Sequence, residues 1–393
     1  MYRRLPPIAA AVATATAGTL PVFLTGALSV QIRQRLHFDE TSLGAAVAVF
    51  FVAAALCSAV FGRLAEHVGP VRQMRAAAIA SAVSCESIAL FAHTWWQLPV
   101  LLSIGGLANG AGQPAANLLL ARSVPVRNQG LAFGAKQAAI PLSTLLGGLA
   151  VPLVALTVGW RWAFVGAGCL AVAIAVLLPR AIEGGVGSRR SPAEARSKPA
   201  KRSRTSRDTL GPLVVLAIAM ALGSAAANSL GTFIVPSSVF DGIHPGQAGL
   251  LAALGSLAGL VTRVVAGIRA DRRGRAHLRA VAIMVSIGAV GYLALAFGLT
   301  LLDVVATPLA FAAGWGWPGL FNLAVVRTHR HAPGWATGIT QTGAYAGGAI
   351  GPALFGLVAQ HASYATAWTL DAGLALAAAG GMVLGRKLVH AAR

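Results

Sequence analysis

The chain has 393 residues, 56% hydrophobic and only 11% charged, with a mean hydropathy of +0.71. Soluble domains carry about 25% charged residues, and no single core can hide so much apolar surface, so composition excludes a soluble globular enzyme and a disordered protein. The formal charge of +20 does not indicate nucleic acid: the basic residues fall in short clusters between apolar runs, without aromatic interleaving or a basic domain, which is how membrane loops are charged.

In chain order, Arg3 and Arg4 precede an apolar run over 5–30. That run is longer than the about 7–15 apolar residues of a signal peptide, so it reads as a retained first helix. Twelve spans are predicted, near 8–30, 43–61, 76–92, 98–121, 131–156 and 162–178, then 210–233, 248–268, 278–297, 300–326, 335–359 and 365–384. At about 20 residues each they use ~240 residues and leave ~150 for loops and tails. Cys57, Cys85 and Cys169 all fall inside apolar segments and form no CxxC pair, so neither a disulfide nor a metal is expected. Residues 179–209 hold nine Lys/Arg and no apolar periodicity. They read as a basic linker between an N-terminal bundle over 1–178 and a C-terminal bundle over 210–393. On this topology 26 Lys/Arg share the side of the linker and both termini, and only Arg33, Arg35 and Arg161 lie opposite. The positive-inside rule then puts both termini and the linker in the cytoplasm of a multi-pass protein of the plasma (cytoplasmic/inner) membrane.

The halves repeat at a fixed offset. Gly62-Arg-Leu-Ala-Glu66-His-Val-Gly69 matches Gly267-Ile-Arg-Ala-Asp271-Arg-Arg-Gly274, and Asn117 and Arg122 match Asn322 and Arg327, all 205 residues apart. Gly130, Gly134 and Gln137 match Gly334, Gly338 and Gln341 at 204. Two parallel six-helix repeats of this kind place a solute site between them at mid-membrane.

These motifs resemble the major facilitator superfamily over essentially the whole chain. The loop after the second span is similar to the superfamily's Gly-x-Leu-Ala-Asp-x-x-Gly-x-Arg signature through Gly62, Leu64, Ala65, Gly69 and Arg72, with Glu66 in place of Asp; the second copy keeps Asp271 and runs on to Gly274 and Arg275. The resemblance implies an all-α polytopic membrane protein, with twelve transmembrane helices in two pseudo-symmetric six-helix bundles. It implies that these loops gate one side, Glu66 facing the start of span 11 near Gly334 and Asp271 the start of span 5 near Gly130, since a carboxylate at a helix N-terminus is stabilised by about 0.3–1 kcal/mol. Two positions depart from the family's proton-coupled drug exporters. Gly106 stands where they carry an arginine in span 4, and Ile140-Pro141 with Ser143 and Thr144 replaces a glycine-rich motif in span 5, which Gly347, Gly351 and Pro352 preserve better in span 11.

Charged and polar groups inside a bilayer face a cavity or a partner. Asn109, Gln113 and Asn117 form an i, i+4, i+8 row in span 4, and Ser224, Asn228 and Thr232 repeat it in span 7. Such rows line water or bond a neighbouring helix. The substrate-binding candidates are Asn109, Gln113, Lys136, Gln137, Asn228, Gln341 and Tyr345. Lys136 either snorkels to the inner surface or faces the cavity and attracts an anion. Arg263 is expected to snorkel or pair near the gate, Trp315 and Trp317 to stack on a ligand or anchor packing, and Glu86 to pair internally or carry its proton. Asp303 lies near the outer mouth, and Asp371 is expected to be wet at the outer end of span 12.

The resulting expectation is a secondary transporter moving a small solute by alternating access, with a small organic or inorganic anion as first substrate class. The alternative is a proton-coupled exporter of neutral or amphipathic compounds, and a membrane sensor ranks lower because the linker is too poor in apolar residues to fold as a signalling domain. No enzyme is expected, since the cavity helices hold no cluster of catalytic groups and no nucleotide loop. Expected partners are a small-molecule substrate, a coupling proton in the second reading and the lipid bilayer, with no cofactor, no metal and a monomeric state.

Overall fold

The computed structural model describes residues 5–125, 128–178, 207–273, 278–328 and 333–391. Linker residues 179–206, Gly274, Arg275 and Arg330 lie outside them, as do the side chains of Asp271 and Trp335. The described chain is helical throughout and makes twelve passes. These are α1 (Pro7–Ala27, kinked into Ser29–Leu36), α2 (Glu40–Val68), α3 (Pro70–Phe91), α4 (Gln97–Ser123), α5 (Gln129–Ala155), α6 (Trp160–Leu177), α7 (Arg207–Phe240), α8 (Pro245–Arg273), α9 (Leu278–Leu295), α10 (Thr300–Thr328), α11 (Pro333–His361) and α12 (Tyr364–Ala391). Eleven are long and apolar enough to cross a membrane. The remaining helix, α4, has 27 residues, enough length, but Asn109, Gln113 and Asn117 lower its apolar character. The helices outrun several predicted spans, so His67 and His361 stand in the last turns of α2 and α11.

Local chemistry sets the turns. Asp39 caps α2 by accepting the Ser42 amide at 2.8 Å. Partial burial opposes its charge, yet the Ser42 bonds and Arg33 hold its carboxyl below the usual carboxylate range. Gly69, at φ +89°, makes the bend between α2 and α3 that a side chain disfavours, and Pro70 starts α3, where no N–H is needed.

The first six helices pack in a pattern that the last six repeat: α1 on α5, α2 on α4 and α3 on α6 recur as α7 on α11, α8 on α10 and α9 on α12. The halves meet along α2 and α11, α5 and α8, and α1 and α7. Small residues let these backbones touch. Gly44 lies on the Pro352 carbonyl, Gly356 on the Glu40 carbonyl, and a Cβ at Gly26 would sit 2.8 Å from the Thr232 Cα. These approaches cluster at the end of the bundle away from the termini. There Arg33 pairs with Glu40, its second nitrogen donating at 2.6 Å, and the Glu40 amide donates to Gln360 of the other half at 3.3 Å.

Candidate functional site

The two polar rows lie on separate helices, and the hydrogen bonds of each run along its own helix. Gln113, half-buried, donates to the Asn109 Oδ1 at 3.1 Å, and Asn109 is buried against Gly18 of α1. Asn117, the third of that row, is exposed. The α7 row is satisfied along its own helix: Asn228 donates to the Ser224 carbonyl and Thr232 to the Asn228 carbonyl, each at 2.8 Å. Gln341 is half-buried on α11, and the buried Tyr345 lies near Ser58 of α2.

Lys136 is 4% exposed and, among the described residues, makes no hydrogen bond and no ion pair. It does not snorkel. Next to it, Pro141 has no N–H to offer the carbonyl four residues back, so the Gln137 carbonyl is left open inside the membrane. Arg263 fills that gap. The expectation that Arg263 snorkels or pairs at the gate is wrong: it is 3% exposed and joins the halves, donating from one nitrogen to the Gln137 carbonyl and from two others to the Trp315 carbonyl at 2.6 and 3.1 Å. Trp315 and Trp317 are core residues. Trp315 meets Phe23 of α1 edge-on at 5.4 Å, and the Trp317 indole donates to the Gly314 carbonyl at 2.8 Å, a carbonyl freed by Pro318 in the same way. Gln137 itself approaches Gly319 of α10.

Two hydroxyls that replace the glycines of the exporter motif are helix-bridging groups. Ser143 meets Thr19 of α1 at 2.7 Å, and Thr144 accepts from Ser256 of α8 at 2.7 Å. Sequence reasoning missed Ser256 and Thr19; their only signal is a hydroxyl within an apolar run, and in α1 Thr19 is one of four threonines. Asp371, expected to be wet, is instead 2% exposed with Oδ2 unpartnered. Asp303 is equally buried, both carboxyl oxygens unpartnered, and half-buried Glu86 packs on Gly168 of α6.

At the terminal end, Gly62 faces Pro114, Glu66 and Arg72 are exposed, and Gly134 approaches Gly267. Glu66 forms no ion pair among the described residues. Asp271, whose side chain is not described, stands in the last turn of α8, while Gly274 and Arg275 fall outside the described residues.

Comparison with known proteins agrees with this architecture. The family model described as Major Facilitator Superfamily matches residues 8–301. Two curated sequences from strains of Mycobacterium tuberculosis, both described as uncharacterized MFS-type transporters, are 27% identical over 332 residues, covering 81% of this chain and 71% of theirs. Among solved structures, a bacterial homolog to the human lysosomal transporter Spinster, in an inward-facing and occupied conformation, superposes with a TM-score of 0.65 at 14% identity, over 98% of this chain and 96% of that one. That likeness is one of fold.

Proposed function

The chain belongs to the major facilitator superfamily and is a multi-pass membrane transporter, and from that premise we propose that it carries a small anion by rocking its two halves around the Lys136 region. The observation that carries this reading is the unpartnered Lys136, buried within the bundle, with a second buried cation, Arg263, that bonds carbonyl oxygens, lies over the Trp315 ring and has no carboxylate partner among the described residues. An ammonium held dry costs several kcal/mol, so the resting site favours a bound negative charge. Asn109, Gln113, Gln137 and Gln341 supply neutral hydrogen-bonding groups that orient oxygens without cancelling that charge. Asn228 and Tyr345 complete the proposed lining from the other half.

In this reading the end away from the termini is the shut gate, and Glu66 and Asp271 latch the opposite end when the halves rock back. The uneven distribution of Lys and Arg supports cytoplasmic termini in the plasma membrane. Two buried carboxylates, Asp303 and Asp371, favour a second reading in which a proton drives export of a neutral or amphipathic compound.

The test is a thermal-shift screen of anions on the purified protein, since a ligand of the folded state raises its apparent stability. The expected hit is an anion whose affinity falls about 10-fold or more in Lys136→Ala, the loss of one charge-assisted hydrogen bond of about 1.5–3 kcal/mol, and is partly kept in Lys136→Arg. Stabilisation by cations alone, or unchanged anion affinity in Lys136→Ala, overturns the anion assignment.

A further inference from the structure

The outer surface of the second half carries two concave grooves that flank α9. One, of about 460 Å³, runs between α8, α9 and α10 and is lined by Val265, Ala266, Ala280, Met284 and Ala312, with Arg269 at its terminal end. The other, of about 520 Å³, runs between α9 and α12 past Ile283, Ile287, Val290, Leu376 and Gly380, with Arg279 at its terminal end. Arg269 lies near the end of α8 and Arg279 near the start of α9, so both arginines stand toward the same end of the bundle. Both are exposed, and neither forms a hydrogen bond or ion pair among the described residues.

We infer that these paired grooves form a binding site for an anionic phospholipid, its phosphate held by Arg269 and Arg279 and its two acyl chains laid on either side of α9. The dimensions match one leaflet. From Arg279 to Val290 is eleven residue steps, about 16 Å along a helix, or roughly half of a ~30 Å hydrocarbon core. A chain starting at the arginines therefore ends near the midplane. Apart from Thr262 in the first groove and Ser286 in the second, the linings are apolar away from the arginine end; the exposed apolar side chains Val52, Leu56 and Val60 of α2 line neither groove. Guanidinium groups give phosphate two parallel hydrogen bonds, and basic recesses between membrane helices select acidic headgroups. The flexible Met284 lets the first groove adapt to chains of different kink.

The inference does not depend on what is transported, and its test uses binding alone. Delipidated full-length protein in a neutral detergent is titrated with phosphatidylglycerol and with phosphatidylcholine of the same chains, and bound lipid is counted by native mass spectrometry. Wild type is expected to bind phosphatidylglycerol at least tenfold more tightly. Arg269→Gln with Arg279→Gln should bring both lipids to the same affinity. Ala280→Leu with Gly380→Leu should weaken both lipids alike; Ala280 is exposed and a Cβ added at Gly380 meets no atom within 4 Å, so both substitutions point into open space at the grooves. A wild type without headgroup preference, a double arginine variant that keeps the preference, or groove-filled protein that binds as wild type overturns the site.

Discussion

Arg263 and Lys136 have nearly the same exposure, 3% and 4%, and opposite surroundings. The guanidinium of Arg263 has carbonyl acceptors because Pro141 frees one of them and the break after Gly314 exposes the other. The Lys136 ammonium has none. Arg263 therefore acts first as a strap between α5, α8 and α10, and its removal strands two buried carbonyls at about 1–3 kcal/mol each. Arg263→Ala should lower the melting temperature by several degrees. Arg263→Lys should fall between the two, because a lysine keeps the charge without the fork that spans both carbonyls. A melt of Arg263→Ala that overlays wild type would show that the strap contributes nothing. The carbonyl that Arg263 satisfies was readable from Pro141, but its partner was not, since the two lie 126 residues apart.

At the scale of helices, the seams depend on missing side chains. Gly44, Gly348 and Gly356 bring α2 and α11 into backbone or ring contact, and Gly148 and Gly249 do so for α5 and α8. A methyl at Gly44 would overlap the Pro352 carbonyl, and overpacking of this kind costs about 1–3 kcal/mol. Much of that cost disappears if the halves part at that end. Gly44→Ala should therefore shift the population toward the state open at the end away from the termini, by about tenfold for each 1.4 kcal/mol. Spin labels on exposed sites flanking the α2 and α11 seam would report a longer inter-half distance; an unchanged distance distribution would mean that the seam is not part of the gate. The wealth of glycine is plain in the sequence, with 46 in the chain, but which of them sit at moving seams follows only from the packing.

For the whole molecule, the charge asymmetry makes an orientation prediction. With 26 Lys/Arg on one side and three on the other, the positive-inside rule predicts a cytoplasmic linker. A cysteine replacing Ser197, in a background lacking Cys57, Cys85 and Cys169, should resist an impermeant thiol reagent in intact cells and react after lysis. Labelling without lysis would invert the topology and with it the assignment of the two gates.

The sequence by itself determined the membrane class, the twelve passes, the repeat of two halves and the family, because each rests on local or periodic information: runs of about 20 apolar residues, clustered charge, and loop motifs recurring 205 residues apart. It also brought Lys136, Gln137 and the α4 polar row forward, since a polar group in an apolar run is conspicuous wherever it points. Tertiary structure decided what those groups meet. It turned Arg263 from a cation expected to snorkel or pair near the gate into a buried bridge, made Trp315 and Trp317 packing residues, closed Asp371 off from water, and satisfied the α7 row on its own backbone. In a bilayer most faces of a helix read as equally apolar, so hydropathy cannot tell lipid from a neighbouring helix. That distinction arises only when close packing of small residues sets which helices touch and at what height.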